Sequence, residues 1–184
     1  MAMAAIAIAV AFAAAPQSVM SPAERLDAEL RASPTATQVL ERRCAALGLA
    51  DPARVHAEVQ RGRVVASASP ARGRLKVGKT EMLGYRKVRL MCGQHVLSVA
   101  TNWYVPARLT DAMNAALDGG DVPFGRVILP LGPTRRTLST WRVKPGRVPP
   151  GGVVVRHRAI VLDASGRPLA EVVEHYQRVL LDAE

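Results

Sequence analysis

Hydrophobic positions along the chain change their period several times, and each change marks an element. The stretch SPAERLDAEL opens on Ser21–Pro22, a capping residue followed by proline at the first helical position, and predicts a helix. SPTATQVLERRCAALGL repeats that signal at Ser33–Pro34 and closes near Gly48. Val39, Leu40, Cys44 and Leu47 recur within it at helical spacing, so this second helix buries one face. The period then drops to two, with Val55, Ala57 and Val59 alternating against His56, Glu58 and Gln60, which reads as a strand. SASPARGRLKVGKTEML is basic and rich in turn formers and reads as a loop.

YRKVRLMCGQHVLSVATNWYVP predicts a hairpin that turns at Gly93-Gln94. ARLTDAMNAAL follows as a helix, with Leu109, Met113 and Leu117 on one stripe and Gly119-Gly120 at its end. DVPFGRVILPL is a short turn or helix, TRRTLSTWRV a strand and KPGRVPPGG a loop. VVVRHRAIVLDASGRPLAEVVEHYQRVLL is a closing hairpin around ASGRP. Adjacent hairpins with helices grouped among them predict an α+β fold, an antiparallel sheet with helices packed over it. One domain spanning residues 21–184 accommodates all of it.

Residues 1–20 stand apart. MAMAAIAIAVAFAAAPQS is apolar and ends in Ala-Ala-Ala-Pro, like the core and cleavage region of a signal peptide, but it lacks a basic start. It predicts either an exported, periplasmic protein or an Ala-rich leader on a cytoplasmic one, and it is short for a membrane span. The two cysteines, Cys44 and Cys92, form a disulfide in the first case and remain buried thiols in the second; their spacing does not suit zinc.

Charge adds a partner class. Lysines and arginines exceed acids by 25 − 15 = +10, which suits anionic partners. The basic residues are spread along the chain rather than gathered in a stripe with aromatics between them, so no nucleic-acid partner is expected. No phosphate loop, dinucleotide fingerprint, nucleophile elbow or zinc-protease motif is present.

Candidate chemistry follows from strand alternation. In YRKVRLMC, Arg86 shares a face with Val88, Leu90 and Cys92, where a guanidinium needs an anionic partner or reaches solvent at the strand end. In PLAEVVEHYQ, Glu174 shares a face with Ala170, Val172 and Tyr176, and Glu171 shares the other with Leu169, Val173 and His175. A glutamate in an apolar pocket can serve as a general acid, but alternation does not choose between these two. His157, on a face with Val153, Val155 and Ala159, reads as structural. Arg135 and Arg136 read as a solvated strand edge or a second anion contact. At the TNWYVP corner, Trp103 and Tyr104 point to opposite faces and are expected to anchor the following helix.

A series of short stretches in order (SPTAT, YRKVRL, NWYVP, VPFGR, LGPTRRTL and ASGRPLAEVVEHY) resembles the chorismate lyase family from about Ser33 onward. PFGR and SGRPL are similar to that family's P-L-G-R and S-G-K-P-L stretches, and NWYVPARLT resembles a bacterial subgroup that often carries leader peptides. The resemblance implies a sheet with helical flaps enclosing a ligand. It implies cleavage of chorismate to 4-hydroxybenzoate and pyruvate, within ubiquinone biosynthesis, without metal or organic cofactor. Arg86 then holds the substrate carboxylate and Glu174 performs acid–base work, with Glu171 as the fallback. Ala36 and Phe124 stand at flap positions where Met and Leu are familiar. The alternative is a non-catalytic, exported protein of the same fold that binds a small aromatic carboxylate. Either way the expected partner is a small anionic aromatic ligand held by a monomer. The same fold also serves as the sensing domain of some transcription regulators, but no helix-turn-helix region precedes ERRC, so a complete regulator is not expected.

Overall fold

A computed structural model describes residues 20–60, 69–144, 146–147 and 152–181. Except for Met20, the sequence-predicted leader lies outside the described residues. Six strands make one antiparallel sheet: β1 (Val55–Val59), β2 (Gly84–Cys92), β3 (His95–Tyr104), β4 (Thr134–Arg142), β5 (Val153–Leu162) and β6 (Pro168–Gln177). Their order across the sheet is β1-β2-β3-β6-β5-β4. The helices are α1 (Pro22–Ala32), α2 (Ala36–Ala46), α3 (Ser69–Leu75), α4 (Asp111–Gly119) and α5 (Phe124–Val127). The fold is thus α+β, as the pattern of hairpins and helices predicts.

The start of α1 has a local cause. Ser21 caps α1 reciprocally with Glu24: the Glu24 amide donates to the Ser21 hydroxyl at 3.3 Å, and the Ser21 amide donates to the Glu24 carboxylate at 2.8 Å. Such a cap stabilises by about 1 kcal/mol. Ala23, Leu26 and Leu30 of α1 and Val39, Leu40 and Cys44 of α2 lie buried on one face of the sheet, against Val88, Leu90, Ala100 and Val155. Further along the same face, Leu117 of α4 and Phe124 of α5 pack on Ala159, Val161 and Val172. A Cys44–Cys92 disulfide ties α2 to the end of β2.

The opposite face carries far less cover among the described residues. Only α3 packs there, with Ala71 and Leu75 buried against Val105 and Ile160. The sequence reading of this region as a loop is corrected here. With seven residues and two buried positions four apart, α3 is too short to show a helical period.

Two motifs explain themselves as structural hardware. In the β5–β6 turn, Asp163 accepts from the Ser165 amide at 2.9 Å, the Ser165 hydroxyl at 2.6 Å and the Arg167 amide at 3.0 Å. Gly166 supplies the positive φ of 81° that this turn needs. The Ser165 hydroxyl, followed by the Arg167 contacts, holds the Asp163 carboxyl down at about 2. At the other motif, Trp103 lies against Tyr85, ring centroids 4.5 Å apart, while Tyr104 packs on Phe124 from the opposite face. A Cβ on Gly84 would sit 2.3 Å from the Tyr104 ring, so the bare glycine backbone is what lets that ring lie flat on β2.

Candidate functional site

The helix-covered face gathers the buried polar groups. On β6, Val172, Glu174 and Tyr176 point toward it, and register sets Glu174 between Ala100 of β3 and His157 of β5. Arg135 reaches from β4 to pair with Glu174, their side chains 3% and 7% exposed. Burial pulls the Arg135 guanidinium down, but the neighbouring Glu174 and Tyr176 outweigh it and hold its pKa above the usual arginine value.

A second buried pair extends this one. Asp27 of α1 accepts from His157 Nε2 at 2.7 Å and pairs with Arg142. His157 Nδ1 lies 3.3 Å from the Arg135 guanidinium. Burial pushes the His157 pKa down, more than the Asp27 hydrogen bond lifts it. A neutral ring fits these contacts: Nε2–H donates to Asp27, and Nδ1 accepts from Arg135. Glu174, Arg135, His157, Asp27 and Arg142 therefore form one chain of contacts from the sheet interior to the half-exposed Arg142. The Tyr176 hydroxyl is fully buried beside Glu174 and Arg135, and that burial pushes its pKa well above the usual tyrosine value.

Next to Glu174 and Arg135 lies a cavity of ≈ 40 Å³ between the sheet and the start of α2. Its wall is apolar at Val88, Leu90, Val161, Val172 and Phe124, and polar at Thr35, Thr37, Asn102, Arg135 and Glu174. Donors are in excess there. The buried Arg135 Nε–H and the Thr35 hydroxyl find no partner. The first turn of α2 carries no acidic residue and no side-chain cap, leaving its amide end and partial positive charge on the cavity wall. Gly125 of α5 closes the roof: a Cβ there would fall 2.7 Å from the Thr37 hydroxyl and 3.0 Å from the Thr35 Cβ.

Of the sequence-predicted site residues, Ala36, Phe124 and Glu174 line this cavity and Arg86 does not. Arg86 is buried on the same face, but its guanidinium donates to the Val122 carbonyl at 2.8 Å and to that of Gly120, fastening the α4–α5 connection onto β2. Burial lowers its pKa. Glu171 lies on the other face, held by Arg74 at 2.5 and 2.8 Å. The cation of the cavity is Arg135, where the sequence predicts a solvated strand edge or a second anion contact. Its burial depends on β5 and β6 lying alongside, a pairing that the TRRTL stretch does not reveal.

No family model matches the chain. It is 36% identical over 177 residues to the uncharacterized protein y4mC of Sinorhizobium fredii (strain NBRC 101917 / NGR234), covering 86% of this chain and 75% of that one. The chain belongs to the y4mC family. Among solved structures it is similar to the possible transcriptional regulator YydK of Bacillus subtilis, with 13% identity and a TM-score of 0.47 over 71% of this chain and 61% of that one. It is also similar to the ligand-binding domain of a putative GntR-family transcriptional regulator from Bordetella bronchiseptica, with 14% identity and a TM-score of 0.45 over 67% and 82%. A third is PhnF of Mycobacterium smegmatis, with 10% identity and a TM-score of 0.47 over 70% and 60%. The chain spans about three fifths of the lengths of YydK and PhnF. At such identities no residue role passes to the y4mC family.

These findings correct the chorismate lyase reading. The relative is an uncharacterized protein, and the similar solved structures are regulators and a regulator's ligand-binding domain rather than a lyase. Membership of that family, the conversion of chorismate and a place in ubiquinone biosynthesis are withdrawn. The physical reason lies in what the matching stretches do. SGRPL builds a turn, PFGR lets α5 close on α2 and NWYVP packs a corner, while Arg86, the expected carboxylate clamp, is committed to the Val122 and Gly120 carbonyls. No helix among the described residues is long and apolar enough to cross a membrane.

Proposed function

We propose that this protein is a binding domain that encloses a small molecule between the sheet and the α2–α5 cover. The observation that supports the reading most is the cavity-lining Arg135, whose buried Nε–H has no partner while its other end is matched by Glu174. An unmet buried donor beside a hollow suits a ligand acceptor. The ligand offers a head rich in acceptors to Arg135, Thr35 and the α2 amides, and a short apolar body to Val88, Val161 and Val172. An anionic head, the expectation from sequence, meets an excess of donors here but shares Arg135 with Glu174.

A hollow of ≈ 40 Å³ holds a few waters at most, so binding requires α5 to lift from the start of α2. The Cys44–Cys92 bond favours the exported alternative, because such bonds persist in oxidising compartments.

Thermal-shift titration with matched acid and amide fragments, such as benzoate and benzamide, tests this reading. Stabilisation is expected in the parent protein, with weakening by at least tenfold in Thr35→Val. Glu174→Gln strengthens the acid relative to the amide if the anion competes for Arg135. A fragment set that stabilises parent and Thr35→Val alike contradicts the reading.

A further inference from the structure

The face of the sheet away from the cavity carries a second arrangement that ligand enclosure does not use. Basic residues that lie far apart in sequence are brought into register there. One row across the sheet reads Lys87, Thr101, Val173, Arg158 and Ser139, and the next reads Arg89, Val99, His175, Arg156 and Trp141. The central strands β3 and β6 thus give a floor of Val99, Thr101, Val173 and His175. Lys87 and Arg89 stand on one side of it, and Arg156 and Arg158 on the other. Three strand spacings separate the two cationic columns, about 14 Å, and each column advances about 7 Å between its charges.

Compensation on this face is partial. Glu58 pairs with Arg89 at 2.6 Å, and Glu171, already held by Arg74, lies 3.7 Å from Arg158. Lys87 and Arg156 are exposed and have no carboxylate partner among the described residues. Aromatic rings lie at both ends of the trough. Trp141, 45% exposed, lies under the Arg156 guanidinium at 4.6 Å, and the Tyr85–Trp103 pair sits in the adjoining row. Strand alternation concentrates charges that look dispersed along the chain.

We propose that this face binds single-stranded nucleic acid without sequence preference, along β3 and β6. Charge complementarity favours a polyanion, and the trough favours one that is a single strand wide. Rings beside guanidinium groups give bases a stacking surface, the combination by which sheets and grooves hold single strands. An anionic membrane surface would meet the same charges but would make no use of stacking on Trp141.

The test is fluorescence anisotropy of the intact protein with a labelled dT20 strand, its duplex, and vesicles containing phosphatidylserine, across salt. Binding to dT20 in the micromolar range is expected, with a log–log salt slope of about −2 to −3.5 for three to five phosphates. Lys87→Glu/Arg156→Glu should weaken binding at least tenfold. Arg31→Glu/Arg42→Glu, an equal charge change on exposed positions of α1 and α2, should weaken it less than threefold. Quenching of tryptophan fluorescence by dT20 should shrink in Trp141→Phe. Thermal melts establish that each variant folds. Equal losses in the two double variants, equal or tighter binding of the duplex, binding to vesicles but not dT20, or no binding at about 50 mM salt would each overturn the proposal.

Discussion

The two faces of one sheet solve the problem of charge in opposite ways. Under the helices, every ionised group of the Glu174–Arg135–His157–Asp27–Arg142 chain has a partner within the protein. On the bare side, Lys87 and Arg156 stand exposed with no carboxylate partner among the described residues. Desolvation makes an unmatched buried ion costly by several kcal/mol, whereas water tolerates an unmatched surface ion. The covered charges of this chain are therefore met within the protein and leave single N–H and hydroxyl groups over, as at Arg135 and Thr35, while uncovered charges remain available to a polyanion. The first face suits a small enclosed molecule and the second a long flexible one.

The contrast is broken most forcefully at Glu174. Glu174→Leu leaves Arg135 buried and unpaired and should destabilise by about 3–5 kcal/mol in urea unfolding. Arg135→Met/Glu174→Leu together should recover most of that loss, since no charge is stranded; a double variant as unstable as the single would refute the pairing account. Next in size is the link between cover and sheet. Reducing Cys44–Cys92, or replacing both with alanine, should cost about 2–4 kcal/mol in the same assay. Gly84→Ala should cost about 1–3 kcal/mol, because its Cβ meets the Tyr104 ring and both sides of that contact are packed.

The pH dependence comes from two groups whose pKa values folding lowers. Burial lowers the His157 pKa in the folded state below its unfolded value near 6.5. The unfolded chain then binds the proton first, so stability falls as pH drops through about 6.5 and below. A melting series from pH 8 to 5 should show this limb, and His157→Gln should flatten it. The Asp163 turn follows the same sign at lower pH: its carboxyl, held at about 2, contributes stability above the unfolded range near 4, and that contribution disappears as pH approaches 2. Smallest of all, Lys87→Glu on the bare face should leave stability within about 0.5 kcal/mol of the parent.

How far each face could be read from sequence follows from the same contrast. Alternation in YRKVRLMC and PLAEVVEHYQ separated Arg86 from Lys87 and Glu174 from Glu171 correctly, because a strand's period is a local property. The Ser21–Pro22 start, the hairpin at Gly93-Gln94 and the turn after Asp163 were legible for the same reason. The partners were not. Asp27 meets His157 across 130 residues, and Arg135 meets Glu174 across 39, through a strand order that no stretch of sequence displays. The basic trough was hidden likewise, since Lys87 and Arg156 become neighbours in a pattern only after β3 and β6 are inserted between them. Resemblance of short stretches pointed to the architecture but overreached on chemistry, because the Arg86 guanidinium is spent on the Gly120 and Val122 carbonyls outside the cavity.

Amide chemical-shift mapping of ¹⁵N-labelled protein, titrated in parallel with benzamide and with dT20, addresses the two-face account most directly. The account predicts disjoint sets: Thr35, Thr37, Asn102, Gly125 and Arg135 for the fragment, and Lys87, Thr101, Val173, Arg156 and Arg158 for the oligonucleotide. Overlapping sets, or a fragment response confined to residues away from the α2–α5 cover, would contradict it.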